Sequence, residues 1–406
     1  MDNVAALFQI NTVSRLSRLR VSNRTGILFL VAVVQAPLVA AAAFWGVWPA
    51  LAAGIGVLVS LPVTRQLLRS PWDHRPRSTA HKFLVMWPFY AWWTLCLIFL
   101  FTAFPLLAVA AVSPLTAADA LMGAFACALV GAFRALRARP RVVKKRLVLP
   151  HLSRAFDGTT IVQLSDIHCG PFTSAKLVRA WVKKANSLRP DLIVVTGDLI
   201  TTGTQYIDEM AAALGELKAP LGVFACLGNH DHFGTDGQVG PALQRHGIHV
   251  LDNRGVTLRR PGGNLYIAGV DDNWSGRDDL KRAMQSRPAN AATVLLAHDP
   301  NLFGQAVAAN VDLTLSGHTH GGQFAVPWMV RKFNLARWMT PFSSGLYHQE
   351  ESLLYVSHGL GTSGPPIRLG ARAELAHITL VCGAESHERN GSGTDDPQPL
   401  LRVPDL

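Results

Sequence analysis

The stretch VDLTLSGHTHGGQ, residues 311–323, decides the fold. Its first five residues are mostly apolar and read as a buried strand. The rest, Ser316-Gly317-His318-Thr319-His320-Gly321-Gly322-Gln323, sets two histidines in an i, i+2 relation among glycines. In an extended chain such residues leave the same side, so both imidazoles can face one ion. Four more strands run into loops of this kind. Thr159–Leu164 leads to Ser165-Asp166-Ile167-His168, and Asp191–Thr196 to Gly197-Asp198. Gly222–Leu227 leads to Gly228-Asn229-His230-Asp231, and Thr293–Ala297 to His298-Asp299. Amphipathic stretches over Ser174–Ser187, Gln205–Leu217 and residues 237–246 read as helices between them. Asn264–Gly269 and Leu375–Val381 complete the expected strands. This alternation predicts an α/β domain, and open α/β sheets place their sites at the carboxyl ends of the strands.

Each motif alone has an ordinary explanation. A Gly-Asp pair is most often a turn, a strand-end His most often a structural hydrogen-bonding residue, and Gly-Asn-His-Asp an Asx-type turn. All five in this order resemble the calcineurin-like metallophosphoesterases over roughly residues 158–381, with no substitution at the polar positions. The resemblance implies a four-layer α/β/β/α sandwich and a two-metal centre. One ion would take Asp166, His168 and His320, the other Asn229, His298 and His318, with Asp198 bridging both. Two ions so bridged lie roughly 3.5–4 Å apart, close enough to clamp one phosphoryl group and activate a water. Mixed imidazole and carboxylate donors suit Mn, Fe or Zn better than Mg or Ca. His230 would face the phosphate as a catalytic group and protonate or stabilise the leaving oxygen, with Asp231 orienting it.

The chain has 406 residues, 49% of them hydrophobic and 16% charged, with mean hydropathy +0.21. Disorder throughout is excluded, because it needs low hydrophobicity and high charge. The net charge of +11 is unevenly held. Residues 1–146 contain 16 Lys/Arg against 3 Asp/Glu, whereas the remainder carries a net −2. A nucleic-acid binder would be expected to keep its basic footprint on the working domain, so no nucleic-acid partner is expected. Five cysteines without a CxxC point to no disulfide framework and fit a reducing compartment.

The basic third is also the apolar third. Residues 26–63 and 83–112 contain no charged residue, and residues 115–133 only Asp119. These runs predict four transmembrane helices, about 26–45, 47–63, 83–112 and 115–133, with a turn near Gly46, Trp48 and Pro49. The basic residues flank only one side: Arg15, Arg18, Arg20 and Arg24; Arg65, Arg69, Arg75, Arg77 and Lys82; then Arg134 to Arg146. By the positive-inside rule both termini and the catalytic domain are expected to be cytoplasmic, in a multi-pass protein of the inner or plasma membrane. A signal peptide over residues 1–43, and one span plus a buried helix in the first run, are the competing explanations. The expected organisation is a basic N-terminus (1–25), the helices (26–133), a basic linker (134–157), the esterase domain (158–382) and a disordered tail (383–406). With these helices the chain resembles the branch of the family that joins a metallophosphoesterase domain to transmembrane segments; Gly359-Leu360-Gly361 and Pro366-Ile367-Arg368 fit that branch too.

The segment between Gln323 and Gly345 mixes Trp328, Met329, Val330, Phe333, Leu335, Trp338, Met339 and Phe342 with Arg331, Lys332 and Arg337. Either these residues cap the domain core or they form a lid that touches lipid. Cys169 is expected to pack, and His232, Asp271, Asp272 and Asp299 to be loop residues. Arg368 is either a phosphate contact or a structural arginine. The resemblance implies a membrane-bound phosphohydrolase acting on a phosphorylated small molecule or lipid-linked substrate. Relatives of the branch are associated with UDP-2,3-diacylglucosamine, a lipid A precursor. A nucleotide phosphodiesterase or nuclease, and a non-catalytic membrane scaffold or sensor, are the alternatives.

Overall fold

The computed structural model describes residues 31, 33–69, 78–136, 139–326, 329–364, 366–383 and 401–402. The basic leader 1–25, Arg75, Arg77, Arg137, Trp328 and most of the expected tail lie outside the described residues. The chain divides into two compact units, Met1–Arg137 and Ala138–Leu406.

Among the described residues, the first unit is built of apolar helices. α1 (Val33–Trp45) is short; α2 (Val47–Arg69), α3 (Trp87–Ala110) and α4 (Ala117–Leu136) follow. Three segments are long and apolar enough to cross a membrane: Val47–Thr64, Phe83–Ala110 and Ala117–Ala135. The break between α1 and α2 falls at Gly46, whose φ of +120° only glycine adopts freely. Inside this unit Trp92 Nε1 donates to the buried Gln35 Oε1 at 2.8 Å. Gly56 lies under the Trp92 ring and Gly131 under Ile98, the small-residue contacts that let apolar helices approach closely.

The second unit holds two mixed sheets. The first has the order β1-β12-β2-β3-β4-β5. Its strands are β1 (Arg141–Leu149), β2 (Thr160–Leu164), β3 (Leu192–Thr196), β4 (Val223–Cys226), β5 (His249–Val250) and β12 (Glu374–Cys382). The second has the order β13-β10-β11-β9-β8-β7-β6. It comprises β6 (Arg254–Arg260), β7 (Gly263–Gly269), β8 (Ala292–Leu296), β9 (Leu313–Ser316), β10 (Gly345–Gln349), β11 (Ser352–Val356) and β13 (Leu401–Arg402). Fully buried runs such as Leu192–Thr196 belong to parallel neighbours, where both faces are covered.

Three apolar clusters hold the unit together. Ile161, Val194 and Phe224 of the first sheet meet Ile267, Val294 and Leu315 of the second. Val162, Ile193 and Val195 meet α5 (Ala175–Ser187), α6 (Ile207–Leu214) and α7 (Val239–Arg245). Tyr266, Leu295 and Leu354 meet α8 (Leu280–Ala283) and α9 (Phe303–Ala308). α5 illustrates the local rule: Ser174 Oγ caps it by accepting from Leu177 N. Val178, Trp181, Val182 and Ala185 then form its buried face at helical spacing.

Two expectations change. Residues 134–157 were expected to be a linker, yet Arg141–Leu149 pair with Glu374–Cys382 along their whole length. β1 is an edge strand: Leu147 and Leu149 point into the core while Lys144, Arg146 and Val148 stay exposed. Its charge has a structural use, because basic side chains on an edge oppose further strand pairing. Within the expected disordered tail, Leu401–Arg402 pair with Tyr347–His348 of β10.

Candidate metal centre

Six of the seven expected ligands converge from four loops. Oxygen and nitrogen atoms of Asp166, His168, Asp198 and His320 lie within 4.8 Å of one another, as do those of Asp198, His298 and His318. Asp198 belongs to both sets. His168 Nε2 faces His320 Nε2 across 3.0 Å, and His318 Nδ1 faces His298 Nε2 across 3.2 Å. His298 Nδ1 donates to the Thr196 carbonyl at 2.8 Å, which turns Nε2 toward Asp198 and His318.

The backbone reaches this arrangement by a route the sequence did not suggest. Asp166 and His168 were expected to share a side as residues of an extended chain. Instead both have left-handed backbones, with φ of 50° and 47°, and so do Asp198, His318 and His320. Such conformations cost energy for residues with a Cβ and persist where surrounding structure imposes them. Here two loops brace each other: Asp166 N donates to Gly197 O, His168 N to Asp198 O and Cys169 N to Leu199 O. His318 N donates to Asp166 Oδ1 at 2.9 Å. Gly359 permits the crowding, since a Cβ there would sit 2.5 Å from Asp166 Cβ.

The donor set fits divalent cations. Asp166 Oδ2 and Asn229 Oδ1 are buried with no hydrogen-bond partner, a costly state that a bound cation would relieve. Asn229 shares no hydrogen bond with the two clusters; its place beside them comes from the backbone, where the next residue's N–H, that of His230, donates to Asp198 Oδ1 at 2.9 Å. Burial pushes the Asp166 carboxyl up to about 6 and pulls His168 down to about 3. Burial also lowers His318 and His320, favouring the neutral imidazoles that metals require. His298 goes the other way: burial opposes its charge, but the Asp198 carboxylate, 3.2 Å away, raises it to about 10. A carboxylate that draws a proton onto its neighbour this strongly is a place where a cation is favoured.

His230 stands at the rim with its ring against His168 at 4.7 Å between centroids. Its Nδ1 lies 2.7 Å from the Thr201 carbonyl, an acceptor only, so Nδ1 carries hydrogen and Nε2 is the nitrogen left to act. Asp231 does not orient it. Its oxygens accept from the backbone N–H groups of Leu199 (2.8 Å), Ile200 (3.3 Å) and Gly228 (2.9 Å), so it braces the loops instead. The helical turn over Asn229–His232 points the two side chains apart.

Residues expected to be bystanders divide. Cys169 is buried in the core and bridges to Ile200, as expected of a packing residue. His232 pairs with Asp271 at 2.7 Å, and the exposed Trp274 ring lies 5.8 Å from that of His318. Arg368 is buried, and its donors reach the carbonyls of Gly361, His320 and Ala371 and the Nδ1 of His320. It therefore supports a ligand and is not free for a phosphate. No sequence signal separates such an arginine from a surface one, because its partners are mostly backbone oxygens.

In the segment after the fifth motif, Ala336 and Phe342 are the buried apolar side chains among the described residues. Met329, Phe333, Leu335, Trp338 and Met339 are exposed, so capping the core does not account for them.

The domain is similar to known proteins. The calcineurin-like phosphoesterase family model matches residues 159–322. A transmembrane protein with metallophosphoesterase domain from Danio rerio is 33% identical over 255 residues, covering 59% of this chain and 57% of the relative. The uncharacterized metallophosphoesterase YkuE of Bacillus subtilis is 32% identical, covering 58% of this chain and 82% of its own. An uncharacterized metallophosphoesterase of Aquifex aeolicus is 33% identical, covering 54% and 84%. The chain thus spans a little over half the length of the transmembrane relatives it matches.

Proposed function

The chain belongs to the calcineurin-like metallophosphoesterase family, and from that premise we propose that it is a membrane-bound, metal-dependent phosphohydrolase cleaving a phosphodiester or pyrophosphate bond. The observation that carries this is the pair of ligand clusters sharing Asp198. Asp166, His168, Asp198 and His320 would hold one ion, and Asp198, Asn229, His298 and His318 the other. Bound there, divalent ions would neutralise the phosphoryl charge and acidify a water. The chain's own part is to orient and to move a proton. The Thr201 carbonyl holds His230 through Nδ1–H, so a ring in the imidazolium form can give its Nε2 proton to the departing oxygen and be left as the neutral Nδ1–H tautomer. Asp231 keeps the two loops that carry Asp198 and His230 in register. The three apolar clusters support reading the domain as a four-layer α/β/β/α sandwich.

The apolar helices and the one-sided basic flanks support a multi-pass protein whose catalytic domain is cytoplasmic. That location favours a lipid-linked phosphate, with UDP-2,3-diacylglucosamine as the first substrate to try. The test is UMP release from that lipid by detergent-purified protein with added Mn, against Asp198→Ala. Release that the variant lacks supports both the centre and the lipid. No release from folded, metal-loaded protein removes this substrate, and a screen of water-soluble phosphodiesters then separates a nucleotide enzyme from a scaffold.

A further inference from the structure

Residues 329–342 follow the fifth metal motif in the chain and lead back into the domain. Hydrogen bonds order the described residues of this segment. Val326 N donates to Phe333 O, Phe333 N to Met329 O, and Met339 N to Ala336 O. Asn334 accepts from Arg337 N and donates to Ser343 Oγ at 2.9 Å. Two anchors fix its base: Phe342 packs edge-on against Phe303 and Tyr347, and Arg331 donates to Leu346 O at 2.7 Å with its guanidinium over the Tyr347 ring. It is also joined to the centre, because Thr319 Oγ1 donates to Ser343 O at 2.8 Å.

What this scaffold presents outward is unusual. Trp338 is 89% exposed, and Phe333, Leu335, Met329 and Met339 are exposed beside it. Lys332 and Arg337 are exposed among them. No Asp or Glu occurs between Asp312 and Glu350. Exposed apolar side chains concentrated in one short segment mark a partner, and the segment's composition selects one. Tryptophan with flanking cations and no acid is the signature of an anionic lipid interface. Chain continuity points the same way: residues 137–140 alone separate α4 from β1, so this unit is tethered to whatever α4 crosses.

We infer that the 329–339 excursion inserts its apolar side chains into the interfacial layer of the bilayer that the helices span, with Lys332 and Arg337 meeting anionic headgroups. This rests on reading α2, α3 and α4 as membrane-spanning. Docking there would fasten to the lipid surface a segment whose base is hydrogen-bonded to Thr319, between two of the ligand histidines.

The test uses the full chain in nanodiscs containing phosphatidylglycerol. A spin label is placed at Trp338→Cys in a Cys127→Ala background, with Lys183→Cys on α5 as the aqueous control. The label at 338 is expected to collide with oxygen and to be shielded from an aqueous nickel chelate, while the label at 183 meets the chelate freely. Adding Lys332→Glu and Arg337→Glu is expected to reduce that shielding. A 338 label as open to the chelate as the 183 label overturns the inference. Shielding from oxygen and chelate alike marks burial against protein and also overturns it. The measurement reads depth, not turnover, so Asp198→Ala protein is expected to give the same depth; shielding without hydrolysis in the wild-type protein would count against the catalytic reading alone.

Discussion

His168 and His320, 152 residues apart in the chain, stack at 25° with their Nε2 atoms 3.0 Å apart. Each ring is buried, and burial holds both mainly neutral. Two such nitrogens, with Asp198 Oδ2 at 3.5 Å from His168 and Asp166 Oδ1 at 3.4 Å from His320, form a ready first ligand set. Because Asp198 also serves the second set, its loss should affect both ions. Asp198→Ala is expected to reduce bound metal at both positions, whereas His320→Ala is expected to spare the second. Elemental analysis of dialysed protein checks this; an Asp198→Ala protein that keeps two ions would contradict the shared carboxylate.

Arg368 is hydrogen-bonded to protein partners, among them His320 Nδ1. Removing its guanidinium leaves the buried carbonyls of Gly361, His320 and Ala371 without that donor, and each such loss costs about 1–3 kcal/mol. Arg368→Met is therefore expected to lower the melting temperature markedly. Arg368→Lys should recover only part of it, since an ammonium cannot reproduce the planar fork. A selective rise in KM with unchanged melting temperature would instead make Arg368 a substrate contact.

Gly359 has a φ of +70°, and any side chain there meets Asp166. Gly359→Ala is expected to cost more than about 1 kcal/mol from backbone strain. It should also displace Asp166 and so lower metal content. Thermal melts and metal analysis on one sample separate the two effects. A variant that melts as wild type with full metal would show that the loop yields at no cost.

The His232–Asp271 pair gives a pH signature outside the ligand set. The hydrogen bond to Asp271 raises His232 above its usual 6.5. Burial would raise Asp271, but the hydrogen bonds from His232 and the Asp272 backbone, with the charges of His232 and Arg277, together hold that carboxyl below 3.8. A raised histidine contributes stability that is full below pH 6.5 and fades as pH rises through its folded value. The lowered carboxyl contributes above pH 3.8 and fades as pH falls through its folded value. The pair thus contributes most between about pH 4 and 6.5. Proton NMR should show His232 titrating above 6.5 and dropping in Asp271→Asn; an unchanged midpoint would dissolve the pair.

Much of this was legible in the chain itself, because the chemistry is written in short local words. Asp166-x-His168, Gly197-Asp198, Asn229-His230 and His318-x-His320 each follow a run of apolar residues that can only be a strand, so their place at strand ends was readable. The apolar runs and the break at Gly46 were readable for the same reason: hydropathy and glycine freedom act residue by residue. Tertiary structure alone decided the rest. That Asp231 braces backbone N–H groups while Thr201 orients His230, and that Arg368 is buried, depend on partners far away in sequence. The basic strand Arg141–Leu149 reads as linker until β12 pairs with it. Even the shared facing of Asp166 and His168 comes from left-handed backbones imposed by the neighbouring loop, a conformation no local preference would choose. Which residues carry the chemistry is a property of side chains in order along the chain; which of them meet is a property of loops that hold one another in strained shapes.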